Sequence, residues 1–221
     1  MHFSLVVIGA HNGSKLAQTI AQGRAAGNVL LVEPVPFLFR MLELQYADQP
    51  GVFLRNLCIA PKDGTASFVA PLPSASVISD QLGSLLPNHA ITHDPALAAH
   101  IETIEVAART FGTLIDELQI DAIDLLYCDT EGMDVQLLDM FPFEALMPQK
   151  IVFESTHTDG TFRIGRRLGS FLIRLDDIGY RSRILDAENI LTELVATPVA
   201  TPAAKPAAGK MERMLRFLLR S

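Results

Sequence analysis

The sequence predicts an α/β fold, a doubly wound and mostly parallel sheet with helices on both faces. Three observations predict it. Short apolar runs without polar alternation recur at residues 5–8, 29–32, 123–128 and 151–153, as strands buried on both faces require. Segments with helical spacing lie between several of these runs, the alternation that builds a parallel sheet. The runs end on glycine or on an acid, at Gly9, Glu33, Asp129 and Glu154, so polar groups collect at one set of strand ends.

The chain opens on FSLVVIGAHNGS, residues 3–14. Gly9 and Gly13 let the backbone turn sharply and come close to a ligand, where a Cβ would collide. A helix follows over 15–26, and its free N–H groups point at the turn. The strand at 29–32 leads into Glu33, whose carboxylate can accept both hydroxyls of a ribose. A helix over 37–46 has Leu38, Met41, Leu42 and Leu44 along one side. A third strand spans 52–59, PKDG at 61–64 signals a turn, and a short strand leaves it over 65–69.

Residues 71–100 carry Pro71, Pro73, Pro87 and Pro95 among serines and small residues, with little period. This reads as a lid or binding loop, with a disordered insert as the alternative. Order resumes with a strand at 101–106, a short helix at 114–118, the strand 123–128 and a helix at 135–140. The strand 151–153, a helix at 164–178 and a strand at 180–185 complete the domain, 1–194. Residues 195–209 form a proline–alanine linker that cannot build a packed core. A basic amphipathic helix over 210–221, with Met211, Met214, Leu215 and Leu218 on one face, can dock on its own domain, a sister subunit or a partner protein, or touch a membrane surface.

At 221 residues and 49% hydrophobic content the chain can bury a sizeable core. A net charge of −7 argues against a general nucleic-acid partner, because phosphate backbones would repel it. Cys58 and Cys128 sit in apolar runs and read as buried strand residues of a reducing compartment, not as a disulfide or metal pair. Neither a signal peptide nor a transmembrane segment is expected, and the expected location is the cytoplasm.

The chemistry is expected at the carboxyl ends of the strands. GAHNGS departs from GxGxxG, which counts against a nicotinamide or flavin dinucleotide whose pyrophosphate needs close backbone approach. An oxidoreductase using NAD(P) is therefore the weaker rival. A cofactor without phosphates and with a positive centre suits this acidic rim, and S-adenosylmethionine fits that description. Its adenosine would meet Glu33, its amino-acid end the glycine turn, and its sulfonium the acids.

VIGAHNG, LLVEP, NLCIAPKDG, TLIDEL, LLYCDTEGMDVQLL and IVFESTH, in that order, resemble the FkbM-type methyltransferases. The spaced D-x-E-G of Asp129, Glu131 and Gly132 is the most specific piece. The resemblance implies a Rossmann-like class I methyltransferase that uses S-adenosylmethionine to methylate a hydroxyl of a small molecule or glycan. It implies that Gly9, Ala10 and Gly13 line the methionine end, that His11 in the same cofactor-binding turn replaces the family's polar residue, that Glu33 holds the ribose, that Asn56 and Cys58 flank the adenine, and that Asp129 and Glu131 lie near the transferred methyl. The chain departs from the family at Val7, where an acid or amide is common, and at Ile115, where an aspartate is usual.

Methyl transfer needs an aligned acceptor oxygen and a base for its proton, and the candidate catalytic residues are Asp129, Glu131 and His157. Each also has a plain reading: Asp129 as a helix cap, Glu131 as a loop brace, His157 as a solvated loop residue. Asp129 and Glu131 suit a divalent cation such as magnesium without establishing one. His89 and His93 have the helical spacing of metal ligands, but the neighbouring prolines argue against a helix there. A non-enzymatic alternative is a methyltransferase fold kept as a binding or scaffold module.

Overall fold

A computed structural model of the chain describes residues 1–72, 83–156 and 166–195. His157, most of the expected linker and the C-terminal helix lie outside the described residues. The first strand, β1 (His2–Ile8), explains why its sequence is apolar throughout. Leu5 and Val7 pack into one helical layer and Val6 and Ile8 into the other. The register slips between Phe3 and Leu5, and Phe3 packs with the Val6 side. The hydroxyl of Ser4, at the slip, is shared between the carbonyls of Gly23 and Asn28 at 2.6 and 2.8 Å.

Among the described residues the main sheet has seven strands. Their order is β3 (Val52–Arg55), β2 (Asn28–Val32), β1, β7 (Ala122–Cys128), β8 (Lys150–Glu154), β10 (Asn189–Leu194) and β9 (Tyr180–Ile184). β10 alone among these runs opposite to the other six, pairing antiparallel with β8 and β9. Helices α1 (Ala17–Ala26) and α2 (Pro36–Tyr46) cover one face through Ile20, Leu42 and Tyr46. Helices α4 (Phe111–Leu118), α5 (Asp134–Leu138) and α6 (Arg166–Asp177) cover the other through Leu114, Val135, Leu137 and Phe171. This is the Rossmann-like, doubly wound sheet that the sequence predicts. Strand order reverses between β1 and β7, and crevices for ligands open at such switch points.

The structure departs from the sequence reading in three places. The expected strand 52–59 is two strands, β3 in the main sheet and β4 (Cys58–Ile59) in a second sheet of order β4, β6 (Ile101–Arg109), β5 (Gly64–Pro71). Asn56 makes the break: its side-chain amide donates to the carbonyls of Glu33 at 2.8 Å and Pro34 at 3.0 Å. The segment 71–100 is more ordered than expected where it is described. Ser84 pairs with Val69, α3 (His89–His93) makes about one turn, and a 3-10 turn spans Pro95–Ala99. Pro95 does not prevent that turn but begins it, with the Asp94 carboxylate accepting from the Ala96 N–H at 2.9 Å. The third departure is β10, which has no counterpart among the expected strands. No helix among the described residues is long and apolar enough to cross a membrane.

Candidate functional site

A cleft enclosing about 840 Å³, its open mouth included, lies at the carboxyl ends of β1, β2 and β7. The second sheet closes one side with Cys58, Ile59 and Phe68, and Gly83 and Leu85 extend that wall. Of the expected cofactor residues, Gly9, Ala10, His11, Glu33, Cys58 and Asp129 line this cleft, and Glu131 lines it too. Gly13 and Asn56 are not among its lining residues.

Packing constrains both glycines of the turn. A Cβ on Gly9, at φ +83°, would lie 1.7 Å from the carbonyl oxygen of Asp129, so the neighbouring strand leaves room only for glycine. A Cβ on Gly13 would meet the Tyr46 ring at 2.9 Å, on the side of α2. Close packing of backbone and helix would by itself demand a glycine at both positions.

Glu33 is the anchor of the cleft. It is 4% exposed, and each carboxylate oxygen accepts one backbone N–H at 2.8 Å, Oε2 from His11 and Oε1 from Val35. His11 donates from a left-handed conformation at φ +52°. Burial pushes the carboxyl up from its ordinary 4.5 to about 7, the two N–H groups oppose this, and the charge of Asp129 adds to it. The carboxylate is thus aimed and held, with lone pairs remaining for hydroxyl donors.

Asp129 ends β7 beside the turn. Burial comes first in raising its carboxyl from 3.8 to about 7, followed by the charges of Glu131 and Glu154, while Lys15 pulls it down. Asp134 lies behind it, 1% exposed, and accepts the Thr130 N–H at 3.0 Å. Burial and then Asp129 raise Asp134 well above the usual carboxylate range. Burial likewise pushes the Cys58 thiol up to about 11 and the Cys128 thiol well above its ordinary value. The result is a rim of acids that suppress one another's ionisation, next to one lining ammonium, Lys15.

Glu131 adopts φ +52°, and its carboxylate faces the buried ring of His89, Oε2 to Nε2 3.2 Å. No group of three or more His, Cys, Asp or Glu among the described residues could hold a metal ion. The side chain of His93 lies outside the described residues.

The methyltransferase FkbM domain model matches residues 8–182, most of the chain and all of this cleft. The chain belongs to the FkbM methyltransferase family. None of the curated proteins matches it. Among solved structures it is similar to a chain of the fibrillarin/Nop5p complex, at 11% identity and TM-score 0.45, over 89% of this chain and 73% of that one. It is also similar to a ribosomal protein L11 methylase from Lactobacillus delbrueckii subsp. bulgaricus, at 10% identity and TM-score 0.43, over 88% and 71%. Human methyltransferase-like protein 13, in complex with SAH, aligns at 14% identity and TM-score 0.42, over 100% and 82%. The family assignment rests on the domain match, and the fold on the sheet order.

In this FkbM-family chain, sequence reasoning passed over Lys15, Asp134, Tyr127 and His89 as residues of the site. Signals existed for two of them. Lys15 follows the glycine turn directly, and Asp134 is a third acid within CDTEGMD. Tyr127, which also lines the cleft, lies inside an apolar strand and gave no signal, and His89 stood out only for its spacing from His93.

Proposed function

We propose that this chain is an S-adenosylmethionine-dependent methyltransferase acting on a hydroxyl oxygen of a small molecule or glycan. The observation that carries the reading is Glu33, buried at the end of β2 with both oxygens oriented by backbone N–H groups toward the cleft. A carboxylate so fixed is suited to the paired hydroxyls of a ribose. The apolar wall of Leu57, Ile59 and Phe68 suits a flat base. Lys15 suits the carboxylate of an amino-acid moiety, and Asp129 suits a sulfonium. Mutually repelling buried acids gain from a cation among them, which favours this donor set over an anionic ligand.

When bound, the cofactor supplies an electrophilic methyl group on a sulfonium that leaves as a neutral thioether. The protein must align the acceptor oxygen, worth up to about 7–11 kcal/mol in favourable cases. It must also take the hydroxyl proton, worth about 10²–10⁴-fold. Asp129, raised to about 7, is matched to that second task at neutral pH. Glu131 is the alternative base from the same loop. Titration calorimetry with S-adenosylhomocysteine tests the reading. Wild type is expected to bind and Glu33→Ala to bind at least tenfold more weakly, on the order expected for a charged hydrogen-bonding partner. No heat from wild type, or equal binding by the variant, contradicts it.

A further inference from the structure

The segment before β6 does not merely pass near the cleft. It is fastened to the D-x-E-G loop at two points. The hydroxyl of Ser84 donates to the carbonyl oxygen of Glu131 at 2.8 Å, and the imidazole of His89 faces the Glu131 carboxylate at 3.2 Å. Both fasteners are themselves buried, Ser84 at 0% and His89 at 1% exposure. Ser84 is held in turn by a reciprocal pair of backbone hydrogen bonds with Val69 of β5, each 2.9 Å. The helix α3 brings the His89 ring to this place from 42 residues away in sequence.

Glu131 needs such support. Its φ of +52° is unfavourable for a residue with a long side chain, and such strain, of about 1–3 kcal/mol, persists only where surroundings impose it. When the Glu131 carboxylate is ionised it can only accept, and the facing His89 nitrogen at 3.2 Å is then the donor. With its ring buried, His89 does not reach a ligand. The Glu131 side chain, at 17% exposure, does line the cleft.

We propose that His89 is a positioning residue: together with Ser84 it sets the left-handed Glu131 and aims its carboxylate into the cleft, making Ser84 and His89 a built part of the site. This inference rests on the methyltransferase reading of the same cleft. The role is positional, not catalytic, because the imidazole acts through Glu131.

The test is calorimetry of the full chain with S-adenosylhomocysteine, for wild type, His89→Leu, His89→Gln and Ser84→Ala. The proposal expects His89→Leu to bind about tenfold more weakly and His89→Gln, whose amide can still donate, to recover most of that loss. Wild-type affinity in His89→Leu overturns the proposal, as does a loss that His89→Gln shares in full. Where His89→Leu does not fold, Ser84→Ala carries the test: weaker binding with an unchanged Tm supports the positioning role, and unchanged binding overturns it. No binding by wild type overturns the methyltransferase reading itself and this inference with it, an outcome distinct from the others.

Discussion

Replacing Glu33 by glutamine separates what the carboxylate costs the fold from what it contributes to binding. Burial raises this carboxyl from 4.5 to about 7. A folded-state value above the unfolded one means that its contribution to stability is complete below about pH 4.5 and is lost as pH rises through about 7. The full difference corresponds to about 3 kcal/mol. Glutamine cannot ionise, so Glu33→Gln should lack that share of the pH dependence. It also presents an NH2 group to one of the two backbone N–H donors, His11 or Val35, which costs about 1–3 kcal/mol at every pH. In urea unfolding from pH 4 to pH 8, wild type should therefore lose about 3 kcal/mol more than the variant over that range. Identical slopes would refute the argument. Ligand hydroxyls would favour the ionised form, so wild-type affinity for S-adenosylhomocysteine should rise about tenfold from pH 6 to pH 8. A flat or falling profile contradicts hydroxyl recognition by Glu33.

Further outcomes follow from the packing around the cleft. Gly9→Ala places a methyl group 1.7 Å from the Asp129 carbonyl and should destabilise the fold by about 3 kcal/mol or more, seen as a large drop in Tm. An unchanged Tm would mean that β1 and β7 are not so close. Asp134→Asn keeps the acceptor for the Thr130 N–H and replaces a carboxyl whose ionisation burial opposes, so its stability at pH 7 should stay within about 1 kcal/mol of wild type, with Asp134→Ala clearly weaker. With the Cys58 thiol raised to about 11 and the Cys128 thiol raised well above its ordinary value, both should react slowly with a thiol reagent at pH 8 in the native chain and quickly in urea, whereas rapid labelling of the native chain contradicts their burial.

The sequence was most legible where one physical demand dominated. Parallel strands buried on both faces leave no room for polar alternation, so residues 5–8 and 29–32 read correctly, and 123–128 is also a strand, buried on one face and half-buried on the other. Glu33 was legible because an acid that closes such a run stands at the ligand-binding edge. Local pattern failed where a distant partner decided the outcome. The strand 52–59 breaks because the Asn56 amide finds the Glu33 and Pro34 carbonyls, which no periodicity encodes. β10 was passed over because its run, NILTEL, mixes polar and apolar residues. Its Thr192 is fully buried and satisfied by Ser182 at 2.8 Å across the β10–β9 pair. His89 read as half of a metal spacing with His93, whereas its ring lies against Glu131. Gly13 was read as ligand space, and the structure adds a packing demand there, set by the Tyr46 ring.

The most direct measurement is a crystal structure of the chain with S-adenosylhomocysteine. The account predicts the ribose hydroxyls within hydrogen-bond distance of Glu33, the base against Ile59 and Phe68, and the sulfur on the side of Asp129 and Glu131. A ligand bound elsewhere, or one whose ribose turns away from Glu33, would contradict it.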